Sequence, residues 1–240
     1  MQKLVKEWFR FKLLLREVPA MCMVFFVVSV ILMNLLANKE LFNSKWLALD
    51  CGFTISWISF LCMDMIVKRF GVKASIQLSL FAECINLIFS TILFIVSLIP
   101  GNWSASYNYN QVAINEALDI TIGGTWYVVF GSTTAFIVSS IINAFVNHNI
   151  GRLLYSRDTF KNYAIRSYVS TFIGQFVDNL IFAYIVSINF FGWSHAQCWI
   201  CAFTMAVFEL LCEAIFSPLG YKVYRGWVNK RIGDAYLHQI

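Results

Sequence analysis

Residues 74–99, which read ASIQLSLFAECINLIFSTILFIVSLI, are an almost unbroken apolar run with one charged side chain, Glu83. About 20 apolar residues suffice for an α-helix to cross the hydrocarbon core of a bilayer, so this run predicts a tilted transmembrane helix. The composition agrees, because 59% of the 240 residues are apolar and only 13% are charged. Soluble domains carry about 25% charged residues. The chain is therefore predicted to be an integral membrane protein, and an ordinary soluble enzyme is excluded.

Five further apolar runs have the length or position of membrane spans. The chain contains only 3 prolines, which favours continuous helices. The predicted fold is an all-α integral membrane protein, a bundle of six transmembrane helices. The predicted spans are residues 18–37, 52–67, 74–99, 125–146, 168–191 and 198–219.

The basic residues predict the orientation of these spans. Of the 18 Lys and Arg residues, 16 fall in the two terminal segments and in the second-to-third and fourth-to-fifth loops, while only Lys39 and Lys45 lie on the other side. Positive charge collects on the cytoplasmic side, so both termini are predicted to be cytoplasmic. Residues 1–17 are predicted to be an interfacial amphipathic segment, 18–219 the membrane domain and 220–240 a basic cytoplasmic tail. The net charge of +5 then faces lipid headgroups and requires no nucleic-acid partner.

Acidic side chains inside the spans are the first functional candidates, because burying one in hydrocarbon costs roughly 2.5–3.5 kcal/mol. Asp64 lies near the cytoplasmic end of the second span, where it either reaches water or pairs with Lys68 one turn later. Glu209 and Glu213 are four residues apart on one face of the sixth span. They form either a proton or cation relay or two separate pairs with basic residues such as Arg166 or Lys68.

A seam of small and polar residues runs through the middle of the fifth span. Thr171, Gly174 and Asp178 lie on one helical face, with Gln175 beside it. Such a seam lines either a ligand cavity or a contact between packed helices. A pattern with the same spacing runs through residues 132–143 of the fourth span. Neighbouring spans are antiparallel, so the two seams are predicted to face each other as an inverted pair.

Enzyme and metal motifs do not account for these residues. The sequence contains no nucleotide-binding loop, dinucleotide fingerprint or His-Glu-x-x-His motif. Cys198 and Cys201, with His195 before them, lack a fourth ligand and are more typical of apolar packing at the start of a helix. We therefore expect no enzyme activity, no cofactor and no metal site.

Several motifs resemble those of the queuosine-precursor transporter family, also called the VUT or YhhQ family. Asp64-Met-Ile-Val-Lys-Arg-Phe-Gly71 resembles the signature that closes its second span. Arg166-x-x-x-Ser-Thr-x-x-Gly-Gln-x-x-Asp178 resembles its fifth-span signature. Residues 34–39 and 132–143 resemble its first-span and fourth-span patterns, and Pro218 resembles the proline that ends its sixth span.

The resemblance implies import of a 7-deazaguanine, such as preQ0 or preQ1, across the cytoplasmic (inner) membrane by alternating access. A flat, nucleobase-like substrate requires amide and carboxylate partners between aromatic walls. Aromatic candidates for the walls are Trp57, Phe53 and Phe172. The substrate-binding residues that the resemblance implies are Asn34, Asp64, Asn143, Ser170, Gln175 and Asp178.

Some positions depart from the family pattern. Trp57 replaces a proline found in many members, and Asn143 replaces an aspartate. Lys68 stands where many members have an acid, and Glu209 stands near the position of a lysine. The exchanged charges indicate either an ion pair with swapped partners or a subgroup with a different substrate. The residues assigned to ion pairing or proton coupling are Lys68, Arg166, Glu209 and Glu213.

Two other functions fit six spans without an ATPase motif. The chain can be the substrate-capture subunit of an ATP-driven vitamin or nucleobase uptake system, which requires a separate energising module. It can also be a membrane scaffold that transports nothing, in which case the polar seams are packing contacts and replacing Asp178 by Asn costs little function.

Overall fold

The computed structural model describes residues 2–103, 112–154 and 159–239, with side chains from residue 5 onward. Nearly all of this part of the chain is helical, as predicted for an all-α membrane protein. Five π-helical residues, Ala183–Ser187, join α6 to α7. The helices are α1 Gln2–Glu17, α2 Ala20–Leu36, α3 Phe53–Phe70, α4 Val72–Ser97, α5 Val112–Leu153, α6 Phe160–Phe182, α7 Ile188–Phe191, α8 His195–Asn229 and α9 Asp234–Leu237.

Four helical stretches of the described chain are long and apolar enough to cross a bilayer: α4, α5, α6 continued through α7, and α8. The pair α1 and α2 provides a fifth if it is counted as one broken span. Helix α3 has 18 residues but includes three charged side chains, Asp64, Lys68 and Arg69. The protein is thus a multi-pass membrane protein, while its six-span count and orientation stay predictions.

The break between α1 and α2 separates an amphipathic helix from an apolar one. The two helices meet at an angle of 102°. Pro19 precedes α2, and its missing N–H and fixed φ prevent α1 from continuing through this point. Helix α1 exposes Trp8 and Phe9 beside its basic residues, a pattern typical of a helix that lies in the membrane interface.

A small hairpin between α2 and α3 departs from the purely helical prediction. Strand β1, Glu40–Asn43, pairs antiparallel with β2, Ala48–Asp50. The two strands have four and three residues, which is too short for an alternating strand pattern to be visible in the sequence. The hairpin brings Asp50 to the start of α3.

Two helices extend beyond their predicted spans. Helix α5 begins at Val112, so the predicted external loop 100–124 contains more than three turns of helix. Residues 104–111 of this loop lie outside the described ranges. Trp103 fixes this extension, since its indole Nε1 donates to Asp119 at 2.8 Å. Helix α8 likewise continues to Asn229, into the predicted tail. Hydropathy missed both extensions because a helix satisfies its own backbone and needs no lipid around it.

The C-terminal segment packs against the C-terminal end of α3. Tyr236 of α9 is buried against Phe70 and Trp227 is buried beside it. Arg69 forms a salt bridge of 2.5 Å with Asp234, whose carboxylate is half-exposed. Part of the predicted basic tail is therefore a packed element of the fold.

Helices α3, α5, α6 and α8 surround the polar interior, and α2 and α4 pack outside them. Helix α4 shows the opposite face clearly, because its residues Ile88, Ile92 and Ile95 are all more than half exposed. In a membrane protein such an exposed apolar face is covered by lipid tails. The buried polar residues therefore mark the inside of the bundle.

Candidate functional site

The predicted seams of α5 and α6 face each other in the structure. Ser139 donates to Asp178 at 2.6 Å, and Asn147 donates to the hydroxyl of Ser170 at 3.1 Å. Between these two contacts, Asn143 lies against Gly174. Each step of four residues along α5 is thus matched by four residues back along α6, which is the antiparallel register expected of an inverted pair.

Gly174 makes this close approach possible. A Cβ atom at this position would lie 2.9 Å from the ring of Phe60 and 3.0 Å from Cβ of Asn143. Both distances are shorter than ordinary carbon–carbon contacts. A glycine is therefore required where α3, α5 and α6 meet, and its absent side chain lets Asn143 reach the interior.

Asp64 is the centre of a buried polar cluster in the half of the bundle that contains the C-terminal part of α3. It is only 1% exposed, and its Oδ1 accepts from Asn143 at 3.1 Å and from Asn147 at 2.9 Å. The hydroxyls of Ser167, Ser170 and Thr171 add further hydrogen bonds. The residues of this cluster, called the inner cluster below, are Asp64, Asn143, Asn147, Ser167, Ser170, Thr171 and Glu213.

Glu213 joins the inner cluster from α8. Its Oε1 accepts from Ser167, which also contacts Asp64. Arg166 lies at the edge, where its Nε donates to Asn147 Oδ1 at 2.8 Å. The structure therefore brings together four predicted site residues, Asp64, Asn143, Ser170 and Glu213, and places Arg166 beside them.

A second acidic cluster lies toward the opposite end of the same helices. Glu209 accepts from Ser56 and, at 3.1 Å, from Asn179, while Asp178 accepts from Ser139. The residues of this cluster, called the outer cluster below, are Asp50, Ser56, Ser139, Asp178, Asn179 and Glu209.

A small cavity opens among the residues of the outer cluster. About 30 Å³ of it is accessible to the centres of water molecules, which is room for a few waters at most. Asp50, Asp178 and Asn179 supply polar groups to its wall, and Phe53 and Phe182 supply rings. The cavity thus combines carboxylates, an amide and aromatic faces, but in this conformation it is too small for a nucleobase.

Asp50 caps the start of α3 beside this cavity. Its Oδ1 accepts from the backbone N–H of Gly52 at 2.7 Å. Burial raises the pKa of the Asp50 carboxyl from 3.8 to about 7, although the hydrogen bond from Gly52 acts in the opposite direction. The charge at the mouth of the cavity therefore changes near neutral pH.

Three predicted amide residues are buried without complete hydrogen bonding. Gln175 is fully buried, and neither its Oε1 nor its Nε2 has a partner in the described part of the chain. Asn143 and Asn34 also keep an unpartnered Oδ1, although their Nδ2 atoms donate to Asp64 and to the carbonyl of Val30. Buried polar groups in native proteins are usually satisfied, so these atoms indicate a place for water or a ligand.

Gln175 lies between the two clusters. It follows Thr171 by four residues and precedes Asp178 by three, so it is about 6 Å and about 4.5 Å from them along the helix axis. An unpartnered amide at this point can hydrogen-bond to a ligand that extends from the cavity toward the inner cluster.

The structure does not bring Lys68 to Glu209. The Lys68 ammonium lies 4.9, 5.5 and 4.7 Å from the ring centroids of Tyr163, Tyr221 and Tyr224. Glu209 instead contacts Ser56, which precedes Lys68 by 12 residues and hence by about 18 Å along α3. The predicted swapped pair is therefore absent among the described contacts. Lys68 lies in the last turn of α3, whereas Glu209 of α8 packs beside the first turns of α3.

Two further interactions predicted from the sequence, Asp64 with Lys68 and Glu209 with Glu213, are also not formed among the residues that the structure describes. Asp64 does not use Lys68, because it faces the bundle interior whereas Lys68 lies among the tyrosines. Glu209 and Glu213 share a helix face but belong to different clusters.

Of the three aromatic residues expected to form walls, one reaches the cavity. Phe53 lines it and contacts Phe208 edge to face. Trp57 stacks on Phe216 at 4.5 Å, and Phe172 contacts Phe203. Both point away from the polar interior because they occupy the opposite faces of their helices.

Several residues of the two clusters were not identified from the sequence. Asn147 extends the α5 seam by one turn beyond Asn143, so continuing the four-residue spacing would have found it. Asn179 and Ser56 carry no such pattern, and Asp50 lay outside the predicted span. Only the packing of α3 against α6 and α8 brings these residues together.

A family model described as "Putative vitamin uptake transporter" matches residues 50–223, well over half of the chain. No curated protein and no solved structure matches the chain. The matched range begins at Asp50 and includes α3 through most of α8, so it contains both acidic clusters and the seam between them. Its description is that of a transporter and not of an enzyme. The chain therefore belongs to this family of vitamin uptake transporters, as the resemblance of its motifs to the VUT family predicted.

Proposed function

We propose that this protein is a six-span transporter that imports a queuosine precursor, a 7-deazaguanine such as preQ0 or preQ1, across the cytoplasmic membrane. Both termini are then cytoplasmic, as the basic residues indicate. The binding site includes Gln175, Asn143, Asn34 and Asp178.

The observation that carries this proposal is the fully buried amide of Gln175, which lies between two carboxylate clusters and whose polar atoms have no partner among the described residues. A 7-deazaguanine presents a carbonyl beside N–H donors on one edge. An amide pairs with such an edge by donating and accepting, and a carboxylate such as Asp178 accepts from its guanidine-like N–H groups. Phe53 and Phe182 at the cavity offer faces for stacking.

The size of the cavity supports alternating access. Pockets that bind small molecules measure about 300–1,000 Å³. The cavity at the outer cluster has a volume of only about 30 Å³. Entry of a base therefore requires the helices that line the cavity, α2, α3, α5 and α6, to separate. This movement is the opening step of an alternating-access cycle.

The test is uptake of labelled preQ1 by cells that cannot synthesise it, with and without this chain. We expect uptake only with the chain, and we expect Gln175→Leu to reduce it by about 10- to 100-fold, as loss of a buried hydrogen-bonding partner does. Asp119→Asn is the matched control for Asp178→Asn, because Asp119 accepts from Trp103 and belongs to neither cluster.

The result also separates the alternatives. Absence of uptake with a folded, membrane-inserted chain contradicts the proposed substrate. Uptake in cells that is lost when the purified chain is reconstituted alone indicates an energising module. Full uptake by Asp178→Asn contradicts the assignment of this residue to the site and favours the seam as packing.

A further inference from the structure

We propose that Asp64, Ser167 and Glu213 form a proton-carrying site, so that uptake through this protein is coupled to proton entry. The inference rests on the proposed import function and adds its energy source. The site takes a proton from the external side and releases it to the cytoplasm, and no other reactant is involved.

Counting hydrogens leads to this proposal. The hydroxyl oxygen of Ser167 lies within hydrogen-bonding distance of Asp64 Oδ2 and of Glu213 Oε1. A serine hydroxyl has one hydrogen and can donate to only one of the two oxygens. The other contact then requires an O–H on a carboxyl group.

The surroundings do not neutralise both acids. Asp64 and Glu213 are 1% and 0% exposed, no ion pair involves either of them within the described residues, and Glu213 Oε2 accepts from no donor there. An ionised Glu213 would leave charge on a buried oxygen without a donor, which favours the neutral acid with its O–H directed at Ser167.

The other charged and titratable groups near this site are few. Arg166 lies at its edge through Asn147. Tyr163 of α6 lies one turn before Ser167, and its ring contacts the Lys68 ammonium together with Tyr221 and Tyr224 of α8. Among the described residues, α5 contributes uncharged Asn143 and Asn147. Because Lys68 lies on the tyrosine rings and not in the hydrogen-bonded cluster, the two acids share Arg166 as the single cation among the described residues there, and one proton makes this set neutral.

Asn143 connects this site to the seam between the clusters. Its Nδ2 donates to Asp64, while its Oδ1 is unpartnered and lies beside Gly174. A ligand N–H that bonds this Oδ1 contacts the same side chain that holds Asp64. Substrate and proton occupancy are thereby linked through one residue.

The test uses the purified full chain in liposomes, with labelled preQ1 as the probe and counterflow exchange as the reference that requires no gradient. One coupled proton allows about tenfold accumulation for each unit of pH difference. We expect an alkaline interior to stimulate wild-type uptake, and we expect the ratio of gradient-driven uptake to counterflow to collapse in Glu213→Gln. Glu83→Gln is the matched control, since Glu83 is an equally buried acid that bonds Thr133 and Asn86 outside the site.

The outcomes distinguish this inference from the proposed function. Counterflow of preQ1 without any response to the pH gradient overturns proton coupling and leaves the substrate standing. A gradient response that persists in Glu213→Gln also overturns it. Absence of preQ1 counterflow contradicts the proposed substrate. Whether the site holds a proton is then tested by a measurement that needs no substrate.

That measurement is infrared spectroscopy of the purified chain at neutral pH. We expect wild type minus Glu213→Gln to show the C=O band of a protonated carboxylic acid. Ser167→Ala keeps both acids and should shift the band by removing its hydrogen bond, which remains informative if Glu213→Gln does not fold. If no such band appears in the Glu213→Gln or Asp64→Asn difference spectra, and Ser167→Ala shifts none, the inference is wrong.

Discussion

The inner and outer clusters contain the same kinds of residue but differ in how completely their acids are satisfied. Asp64 of the inner cluster lies within hydrogen-bonding distance of five polar side chains on α5 and α6. Asp178 of the outer cluster accepts from one, Ser139, and lies at the wall of a cavity. An acid surrounded by donors holds helices together, whereas an acid with free capacity beside a cavity can bind something else.

The comparison also explains why burial alone does not identify a binding residue. Both acids are less than a tenth exposed. The number of donors, and the space beside the carboxylate, decide which of them can exchange a protein partner for a ligand.

The largest expected effect is on stability in the inner cluster. Asp64→Ala leaves buried amide and hydroxyl donors without an acceptor and should destabilise the protein by about 3–5 kcal/mol, the range for breaking a buried charged network. Asp178→Ala removes a single hydrogen bond and should cost about 1–3 kcal/mol. The measurement is the thermal unfolding temperature of each purified variant in one detergent. Equal losses for the two variants would contradict the comparison.

The next effect is on transport through the outer cluster. Glu209→Gln keeps an acceptor for Ser56 or Asn179 but removes the carboxyl group, so we expect labelled preQ1 uptake to fall by about tenfold with a smaller loss of stability than Asp64→Ala. Initial uptake rates at matched expression measure this. The exposed acid Glu116 provides the control Glu116→Gln, which should transport normally. A drop of the same size in both variants would show a general effect of lost acidity.

A smaller effect concerns the contact between the clusters. Gly174→Ala places a methyl group 2.9 Å from Phe60 and 3.0 Å from Asn143, so the helices must separate, at a cost of about 1–3 kcal/mol. Gly226→Ala is the matched control, because nothing lies within 4 Å of a Cβ there and a helical alanine should stabilise by up to about 1 kcal/mol. Opposite shifts in unfolding temperature are expected, and a neutral Gly174→Ala would argue against close packing.

The smallest effect is the pH dependence of binding at the outer cavity. The pKa of Asp50 is raised to about 7 by burial, so this carboxyl is neutral at pH 6 and charged at pH 8. A nearby charge in a wet cavity is worth about 1 kcal/mol, roughly fivefold in affinity for a cation. Affinity for preQ1, which carries an amine, should therefore rise from pH 6 to pH 8, while affinity for the uncharged nitrile preQ0 should not. Asp50→Asn should abolish the difference, and an unchanged difference in that variant would assign it to another group.

Sequence reasoning found the residues of the seam better than it found their partners. The four-residue spacing on α5 and α6 located Asn143, Gly174 and Asp178, and the antiparallel order of neighbouring helices made their meeting predictable. Exchanged charges predicted a pair between Lys68 and Glu209. Lys68 lies in the last turn of α3, but Glu209 of α8 contacts Ser56 in the first turn. The sequence showed where each residue lies along its helix. It did not show which helices pack against each face.

By itself the sequence determined that the protein lies in a membrane, which stretches are apolar helices and which few polar residues are buried there, since hydrocarbon penalises every uncompensated polar group. The tertiary structure decided how those residues are divided. It placed Glu213 with Asp64 and Glu209 with Ser56 and Asn179, although the two glutamates are one turn apart. The physical reason is that hydrogen bonds between helices depend on rotation and depth, which local sequence periodicity does not fix.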